Sequence, residues 1–394
     1  MERLIKLSVK KASTVSTHFQ RYLYADIDWE QALSLILGHR GTGKTTILLQ
    51  RIQQLKKNAI YLSLDDVYFE ANRLVELIDA LYEKGYRHFM LDEVHRYKYW
   101  SKDIKNAFDN YSDIKIAATG SSILELNKGQ SDLSRRAARY SLWGLSLREF
   151  IEFEYKQIFD NLTLENILEH HQEISSDITD LIDIEKVLRE YLRFGYYPFF
   201  NESIKLYAQR LQETTNLVLD IDVAPFIELS HTTVRNMKKL FYVISQTVPF
   251  TPNISKIAEK INAPRNTVLK ILDILEHARI LSLLRQNTKG ISYLQKPEKI
   301  YLQNTNLAYI LSDDKPNIGN LRETFFLSQL KAKHEVTASK FSDFMLDNTY
   351  TFEIGGASKT SQQIKGIPNS FIAADGIKNG SGNKIPLWMF GFLY

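Results

Sequence analysis

The chain lacks cysteine, long apolar runs and a large excess of charge of either sign. Its 394 residues include no Cys, 50 Lys and Arg and 46 Asp and Glu, for a net charge of +4. The absence of cysteine excludes disulfides, thiol catalysis and cysteine zinc sites. No apolar run approaches the roughly 18–20 residues that a membrane-spanning helix needs, and the mean hydropathy is −0.26.

The composition and the first residues favour a globular protein of the cytoplasm. Apolar residues make up 44% of the chain and charged residues 24%, which excludes a long disordered tail or a collagen-like repeat. The segment from Met1 to Lys6 has neither the apolar core nor the cleavage site of a secretory signal. A cysteine-free chain without such a signal is expected in the cytoplasm. At about 150 residues per domain, we expect two to three domains.

Short apolar runs alternate with helix-like segments over the first 150 residues. The runs predicted as buried strands are Leu33–Leu37, Ala59–Ser63, His88–Leu91 and Ile114–Ala118. The segments with helical spacing between them are Thr45–Lys57, Phe69–Gly85 and Lys102–Asn110. This alternation predicts an α/β fold with a parallel sheet covered by helices on both faces.

The segment Gly38–Thr45 fits the phosphate-loop pattern G-x-x-x-x-G-K-[ST] in full, with a predicted strand before it and an amphipathic segment after it. Glycines in such a loop let backbone N–H groups turn toward a β-phosphate, and the next helix adds its positive N-terminal dipole. Lys44 is expected to reach the β- and γ-phosphates, and the Thr45 hydroxyl to ligate Mg²⁺. The residues predicted to bind ATP are Gly38, Arg40, Gly41, Thr42, Gly43, Lys44, Thr45 and Thr46.

Two further strand ends carry groups suited to ATP hydrolysis. The strand His88–Leu91 runs into Asp92 and Glu93. Asp92 is predicted to hold Mg²⁺, directly or through water, and Glu93 to activate the attacking water as a general base. After the next strand, Thr119 is the first candidate to orient that water and Ser121 the second. The alternative for Asp92 and Glu93 is a structural role, since acidic pairs are common at strand ends, and the alternative for Thr119 and Ser121 is a plain turn after a core strand.

Together these motifs resemble the predicted AAA+ superfamily ATPases of bacteria and archaea that join an AAA+ core to a C-terminal domain of uncharacterised function. The segments that carry the resemblance are Arg40–Thr46, Leu91–His95, Ala118–Ser122, Leu145–Phe150, Gly195–Pro198 and Lys299–Leu302. The resemblance implies an arginine finger at Arg136, supplied to the same chain or to a neighbour in a homo-oligomer. Arg135 stands where the family more often has a small residue, so the identity of the finger stays open between Arg135 and Arg136, with Arg139 close by. Structural pairing of these arginines with carboxylates is the alternative.

Beyond residue 150 the pattern changes to helical segments, and the charge becomes uneven. Residues 151–230 contain 16 acidic and 6 basic residues, whereas residues 251–290 contain 7 basic and 3 acidic residues. Such asymmetry suggests that one segment faces a polyanion, and the alternative is two solvated helix faces. The aromatic run Tyr191–Phe200 is interpreted as a hydrophobic plug or interface, and His170 and His171 as solvated surface.

Two amphipathic segments near residue 260 have the spacing of a helix-turn-helix. Ile254–Ile261 and a second segment from Arg265 to about His277 flank a turn that ends at Pro264, and Leu281–Tyr301 is able to supply the hairpin of a winged helix. Exposed residues that are expected to meet phosphates or base edges of double-stranded DNA are Arg265, Asn266, Thr267 and Lys270. The alternative is a packing or protein-contact module.

The last 80 residues resemble the restriction-endonuclease-like fold that ends many proteins of this kind. That fold needs carboxylates for Mg²⁺ and a lysine two residues after the second one. The candidate carboxylates are Glu323, Asp343 and Glu353, but position 355 is glycine, and Lys359 is the nearest lysine. We therefore expect a degenerate domain kept for binding, without nuclease activity.

These observations predict four segments: a P-loop ATPase core at 1–150, a helical region at 151–245, a winged helix at 246–312 and a small C-terminal α/β nuclease-like domain at 313–394. The predicted activity is Mg²⁺-dependent hydrolysis of ATP, coupled to a conformational change in the winged-helix and nuclease-like region. The alternative is a nucleotide-dependent switch that binds DNA or a protein with negligible turnover. A nuclease effector regulated by ATP is a third possibility, which requires Glu323, Asp343 and Glu353 to converge on one metal.

Overall fold

A computed structural model describes residues 1–55, 57–122, 133, 136–223, 231–245, 251–286, 296–312 and 316–394. The chain divides into two compact units, Met1–Trp143 and Gly144–Tyr394. The first boundary predicted from the sequence, at residue 150, lies seven residues beyond this division. The further boundaries at residues 245 and 312 stay predictions.

The first unit is built on a five-stranded sheet in which every adjacent pair of strands is parallel. Its strands are β1 (Leu33–Gly38), β2 (Ala59–Ser63), β3 (His88–Asp92), β4 (Lys115–Ser121) and β5 (Ala138–Leu142). Their spatial order is β2-β3-β4-β1-β5. The predicted α/β class and parallel sheet are therefore confirmed. Because β4 lies between β1 and β3, the carboxyl ends of these three strands meet at one edge of the sheet.

Of the α-helices that the structure describes in this unit, two precede the first strand and four lie between later strands. They are α1 (Glu2–Thr14), α2 (Leu23–Asp26), α3 (Lys44–Leu55), α4 (Tyr68–Ala71), α5 (Leu74–Glu83) and α6 (Trp100–Asn110), and a short 3-10 helix spans Val94–Arg96. All six residues of β1 are buried, as expected for a parallel strand covered on both faces.

The elements of the first unit that the sequence pattern does not predict include α1, α2 and the edge strand β5. The helix α1 buries only Leu4, Ser8 and Ala12, one residue per turn along one face, so its apolar signal is weak. The edge strand β5 alternates partly buried and exposed residues and contains Arg139. A polar edge strand of this kind lacks the continuous apolar run by which the other strands were predicted.

The second unit begins with helices. The α-helices are α7 (Leu147–Phe150), α8 (Leu164–Leu181), α9 (Ile184–Glu190), α10 (Ile204–Leu217), α11 (His231–Ser245), α12 (Ile254–Ile261), α13 (Arg265–His277), α14 (Thr305–Leu311) and α15 (Ile318–Leu330). Single π-helical turns span Ile151–Tyr155, Tyr191–Gly195 and Val218–Val223, and 3-10 helices span Pro198–Glu202, Ser361–Ile364 and Leu387–Phe392. Within the described residues, none of the helices is long and apolar enough to cross a membrane.

Two sheets complete the second unit. The strands β6 (Leu281–Leu284) and β7 (Lys299–Leu302) form an antiparallel pair. A mixed five-stranded sheet has the order β12-β11-β10-β9-β8 and contains β8 (Val336–Ala338), β9 (Phe344–Leu346), β10 (Tyr350–Gly356), β11 (Ser370–Asp375) and β12 (Lys384–Pro386). The predicted small α/β region at the C-terminus is therefore confirmed.

The aromatic run Tyr191–Phe200 packs into the core of the second unit. The rings of Tyr191 and Phe200 lie 5.7 Å and 5.2 Å from that of Phe150, centroid to centroid. A Cβ at Gly195 would lie 2.5 Å from the ring of Tyr191, so only glycine permits this packing. The hydrophobic interpretation of this run agrees with its burial.

The interpretation of the two adjacent histidines as surface residues is wrong for one of them. The side chain of His170 is 58% exposed, but His171 is only 4% exposed. Its imidazole lies against Gly380, where a Cβ would lie 2.0 Å from the ring. Because successive residues of a helix point in different directions, one histidine faces solvent and the other faces the core.

Candidate nucleotide-binding site

The loop between β1 and α3 has the backbone conformation that the phosphate-loop pattern requires. Gly41 and Gly43 have φ values of 84° and 96°, in the left-handed region where glycine carries no steric penalty. At Gly38 a Cβ would lie 2.5 Å from the backbone oxygen of Leu142 on β5. The glycines therefore allow a tight loop against the neighbouring strand.

Lys44 is buried inside this loop. It is 5% exposed, and its Nζ donates hydrogen bonds to the backbone oxygens of Gly38 at 2.9 Å and His39 at 3.0 Å. These two carbonyls hold the ammonium group within the loop. Of the other predicted loop residues, Thr42 is buried and donates to the His39 oxygen at 2.8 Å, whereas Thr46 is exposed.

Asp92 accepts hydrogen bonds from hydroxyl groups of three different elements. Its Oδ2 accepts from Thr45 Oγ1 on α3 and from Tyr61 Oη on β2, both at 2.7 Å. Its Oδ1 accepts from Thr119 Oγ1 on β4. The aspartate is 2% exposed. A buried carboxylate beside a threonine hydroxyl is an oxygen donor set of the kind that Mg²⁺ prefers, so the residues fit the ion that the sequence implies.

Glu93 directly follows β3 in a left-handed conformation, with a φ of 54°. Its carboxylate lies 3.6 Å from a guanidinium nitrogen of Arg40 and 3.5 Å from Nε2 of His95. Its backbone N–H donates to Thr119 Oγ1 at 3.2 Å. Arg40 belongs to the phosphate loop, so the two predicted motifs are in contact.

The candidates on β4 differ in their partners. Thr119 is fully buried and hydrogen-bonds with both Asp92 and the backbone of Glu93. Ser121 lies farther along the strand, and its backbone N–H donates to His95 Nδ1 at 3.4 Å. The structure thus brings Thr119, the first candidate, into contact with the two acidic residues.

The arginine candidates are less closely tied to this site. Arg136 pairs with Asp109 on α6, and its guanidinium carbon lies 5.6 Å from the ring centroid of Phe108. Arg139 is exposed on β5. Arg135 lies outside the described residues. The finger role of Arg136 therefore stays a prediction.

The sequence pattern does not predict that Tyr61 and His95 contact the acidic residues of this site. The signal for Tyr61 was present, because a tyrosine in a buried strand usually needs a partner for its hydroxyl. His95 was quoted only as part of a motif, and its contact with Glu93 depends on the 3-10 turn after β3.

Two segments of the chain match known family models. Residues 30–151 match the family model described as an AAA domain. This segment forms an AAA domain. It contains β1, the phosphate loop, Asp92, Glu93 and Thr119, and AAA domains belong to a superfamily of nucleotide-binding ATPases. Residues 185–317 match a second model, described as a domain of unknown function (DUF8612). No curated protein matches the chain.

Solved structures similar to this chain include three proteins of low sequence identity. The RuvB Holliday junction branch migration motor of Thermotoga maritima is 16% identical, with 72% of this chain and 90% of that chain covered and a TM-score of 0.31. AMPPCP-bound DnaA from Aquifex aeolicus is 14% identical, with 69% and 88% covered and a TM-score of 0.27. The Aeropyrum pernix ORC1 protein in complex with DNA is 12% identical, with 78% and 91% covered and a TM-score of 0.30. All three scores are low, so the assignment of the AAA domain rests on the family match and the sheet.

The predicted DNA-contacting residues lie on the helix pair of the second unit. Asn262, with a φ of 53°, ends α12, and Pro264 precedes the first residue of α13. Arg265, Asn266 and Lys270 are exposed on α13, and Thr267 is partly buried. The antiparallel strands β6 and β7 follow in the order expected for a winged helix, which stays a prediction.

The three carboxylates proposed for a nuclease site bind lysines. Lys299 on β7 lies 3.0 Å from Glu323 and 3.1 Å from Asp343, and Lys359 pairs with Glu353. The stem of Lys359 covers Gly355, at 2.7 Å from a Cβ placed there, so this lysine folds back toward the strand. In the part of the chain that the structure describes, no group of three acidic or histidine side chains is arranged to hold a metal. The sequence pattern does not predict the contacts of Lys299 with these carboxylates. The absence of nuclease activity stays a prediction.

Proposed function

We propose that the AAA domain binds ATP and hydrolyses it with Mg²⁺. The observation that carries this proposal is the hydrogen bond of 2.7 Å between Thr45 of the phosphate loop and Asp92 at the end of β3. It joins the two motifs that hold the phosphates and the metal in P-loop ATPases. The buried position of Lys44 in the same loop supports the proposal.

Each residue of the site has a role in this proposal. Lys44 and the N–H groups of the loop bind the β- and γ-phosphates, and Thr45 and Asp92 hold Mg²⁺. When bound, Mg²⁺ supplies positive charge that offsets the charge of the phosphate oxygens. Glu93 accepts the proton of the attacking water, and Thr119 holds that water in line.

Arg136 is proposed as the residue that stabilises the charge developing on the γ-phosphate. Its partner Asp109 is 43% exposed at the side chain, and exposed ion pairs typically contribute less than about 1 kcal/mol. The pair is therefore weak enough for Arg136 to leave it. A neighbouring chain in a homo-oligomer is the proposed alternative source of the finger.

The partner of the second unit is proposed to be double-stranded DNA, bound through α13. The support is the exposure of Arg265, Asn266 and Lys270 on one helix that follows a tight turn. ATP turnover is then coupled to a conformational change of the helix-turn-helix and the C-terminal sheet. A protein partner is the alternative occupant of this surface.

A nucleotide-dependent switch with negligible turnover is the second candidate function. The contact of the Glu93 carboxylate with Arg40 and His95 favours it, because a carboxylate engaged with these side chains is less available to water. The two functions differ only in whether Glu93 is released after ATP binds.

The test is Mg²⁺-dependent ATP hydrolysis by the wild type, Lys44→Ala and Glu93→Gln, with and without duplex DNA, over a range of protein concentrations. The ATPase requires turnover that both variants lose while their thermal unfolding is unchanged. Glu83→Gln, which changes an exposed glutamate at the end of α5, is the matched control and should retain turnover. Tight ATP binding without turnover under every condition would establish the switch. The absence of ATP binding would disprove both functions.

A further inference from the structure

The hydroxyl of Tyr61 on β2 donates a hydrogen bond to the carboxylate of Asp92. The distance from Tyr61 Oη to Asp92 Oδ2 is 2.7 Å, and both residues are buried, with 4% and 2% exposed.

Tyr61 and Thr119 hold opposite oxygens of the Asp92 carboxylate. Oδ2 of Asp92 accepts from Thr45 and from Tyr61, while Oδ1 accepts from Thr119. Tyr61 on β2 and Thr119 on β4 thus supply one donor from a strand to each oxygen, and two donors from neighbouring strands fix both the position and the rotation of a carboxylate.

The helix α1 supports Tyr61 from the other side. Ser8 Oγ accepts a hydrogen bond of 2.8 Å from the backbone N–H of Tyr61. Lys11 Nζ lies 3.4 Å from Tyr61 Oη and 4.8 Å from the centroid of its ring. A cation that donates to the phenol oxygen makes the phenol a stronger donor, because hydrogen bonds in a chain polarise one another. Lys11, Tyr61 and Asp92 thus form a continuous chain from α1 to the end of β3.

We propose that Tyr61 is a positioning residue that holds the Asp92 carboxylate in the orientation needed to bind Mg²⁺ with the nucleotide. The proposal rests on the proposed function of the AAA domain. Partners that orient a metal-binding group from behind typically change metal affinity by about 10–100-fold. Tyr61 touches neither substrate nor metal in this role, so its effect should appear in Mg²⁺ affinity and not in Mg²⁺-free nucleotide binding.

The test compares Tyr61→Phe with a matched control, Tyr97→Phe. Tyr97 is also buried in the first unit, and its hydroxyl also donates to an aspartate at 2.7 Å, but that aspartate is Asp103 on α6, which pairs with Arg73. Binding of a fluorescent N-methylanthraniloyl ATP is measured in EDTA and over a Mg²⁺ titration, and thermal unfolding is followed in parallel.

The expected result is a Mg²⁺ half-saturation concentration raised at least about tenfold in Tyr61→Phe, with binding in EDTA within about twofold of the wild type. Tyr97→Phe should keep the wild-type half-saturation concentration even if it unfolds at a lower temperature. Equal Mg²⁺ half-saturation in Tyr61→Phe and the wild type would overturn the proposal while leaving the ATPase intact. A wild type that binds no nucleotide, or binds it without dependence on Mg²⁺, would overturn the proposed function and this inference together.

Discussion

A guanidinium nitrogen of Arg40 lies 3.6 Å from a carboxylate oxygen of Glu93. This contact joins the phosphate loop to the residue proposed to activate water. Arg40 was predicted only as a residue that binds ATP. We propose a second role, in which Arg40 holds the carboxylate of Glu93 away from water until nucleotide binds.

Replacing Arg40 should therefore raise turnover. An ion pair at this partly exposed position contributes about 0.5–1 kcal/mol, which corresponds to an increase in kcat of about two- to fivefold in Arg40→Ala. Steady-state ATPase kinetics measure the effect, and Arg51→Ala on α3, outside the loop, is the control. A fall in kcat/KM in Arg40→Ala would instead show that Arg40 mainly binds phosphate.

Replacing Arg136 should reduce kcat without weakening ATP binding, because a finger acts on the transition state and not on the ground state. If the finger acts on a neighbouring chain, the rate per molecule of the wild type rises with protein concentration, and this dependence disappears in Arg136→Ala. Asp109→Asn removes the partner of Arg136 and should retain full turnover. Equal loss of turnover in Asp109→Asn would indicate that the pair is structural.

Replacing Arg265 and Lys270 together should weaken duplex DNA binding and make it less sensitive to salt. Each phosphate contact that is lost lowers the slope of log K against log salt by about 0.9, so the double alanine variant should lose about 2 units. Fluorescence anisotropy with labelled duplex at several salt concentrations measures the slope. The control replaces Lys186 and Arg189, two exposed basic residues of α9. An equal loss of slope in this control would indicate that the DNA is attracted nonspecifically.

The buried imidazole of His171 should make the second unit less stable at low pH. Burial lowers the pKa of His171 below its usual 6.5, so the ring is neutral in the folded chain. As the pH falls below about 6.5, the unfolded chain binds a proton that the folded chain does not, and stability falls by up to about 1.4 kcal/mol per pH unit.

The measurement for this prediction is the thermal unfolding midpoint between pH 7.5 and 5.5. His171→Phe keeps a ring of similar size without the titrating group, so its midpoint should fall less over this range than that of the wild type. His170→Phe changes the adjacent, exposed histidine and should follow the wild type. Identical pH profiles for the wild type and His171→Phe would refute the prediction that the buried imidazole of His171 lowers stability at low pH.

The sequence by itself predicted the sheet and the motifs of the AAA domain. Four of its strands were recognised because parallel strands buried on both faces read as continuous apolar runs. The phosphate loop was recognised because its glycines and its lysine occur at a fixed local spacing. Asp92 and Glu93 were recognised because they follow a buried strand directly.

Only the tertiary structure decided which side chains meet. The hydroxyls of Thr45, Tyr61 and Thr119 come to one carboxylate because the sheet order brings β2, β3, β4 and the start of α3 to the same edge. The contact of Lys299 with Glu323 joins two segments 24 residues apart. The spacing of residues along the chain indicates the periodicity of a strand or helix, but it does not determine which strands become neighbours. These contacts therefore depend on the packing of the whole unit.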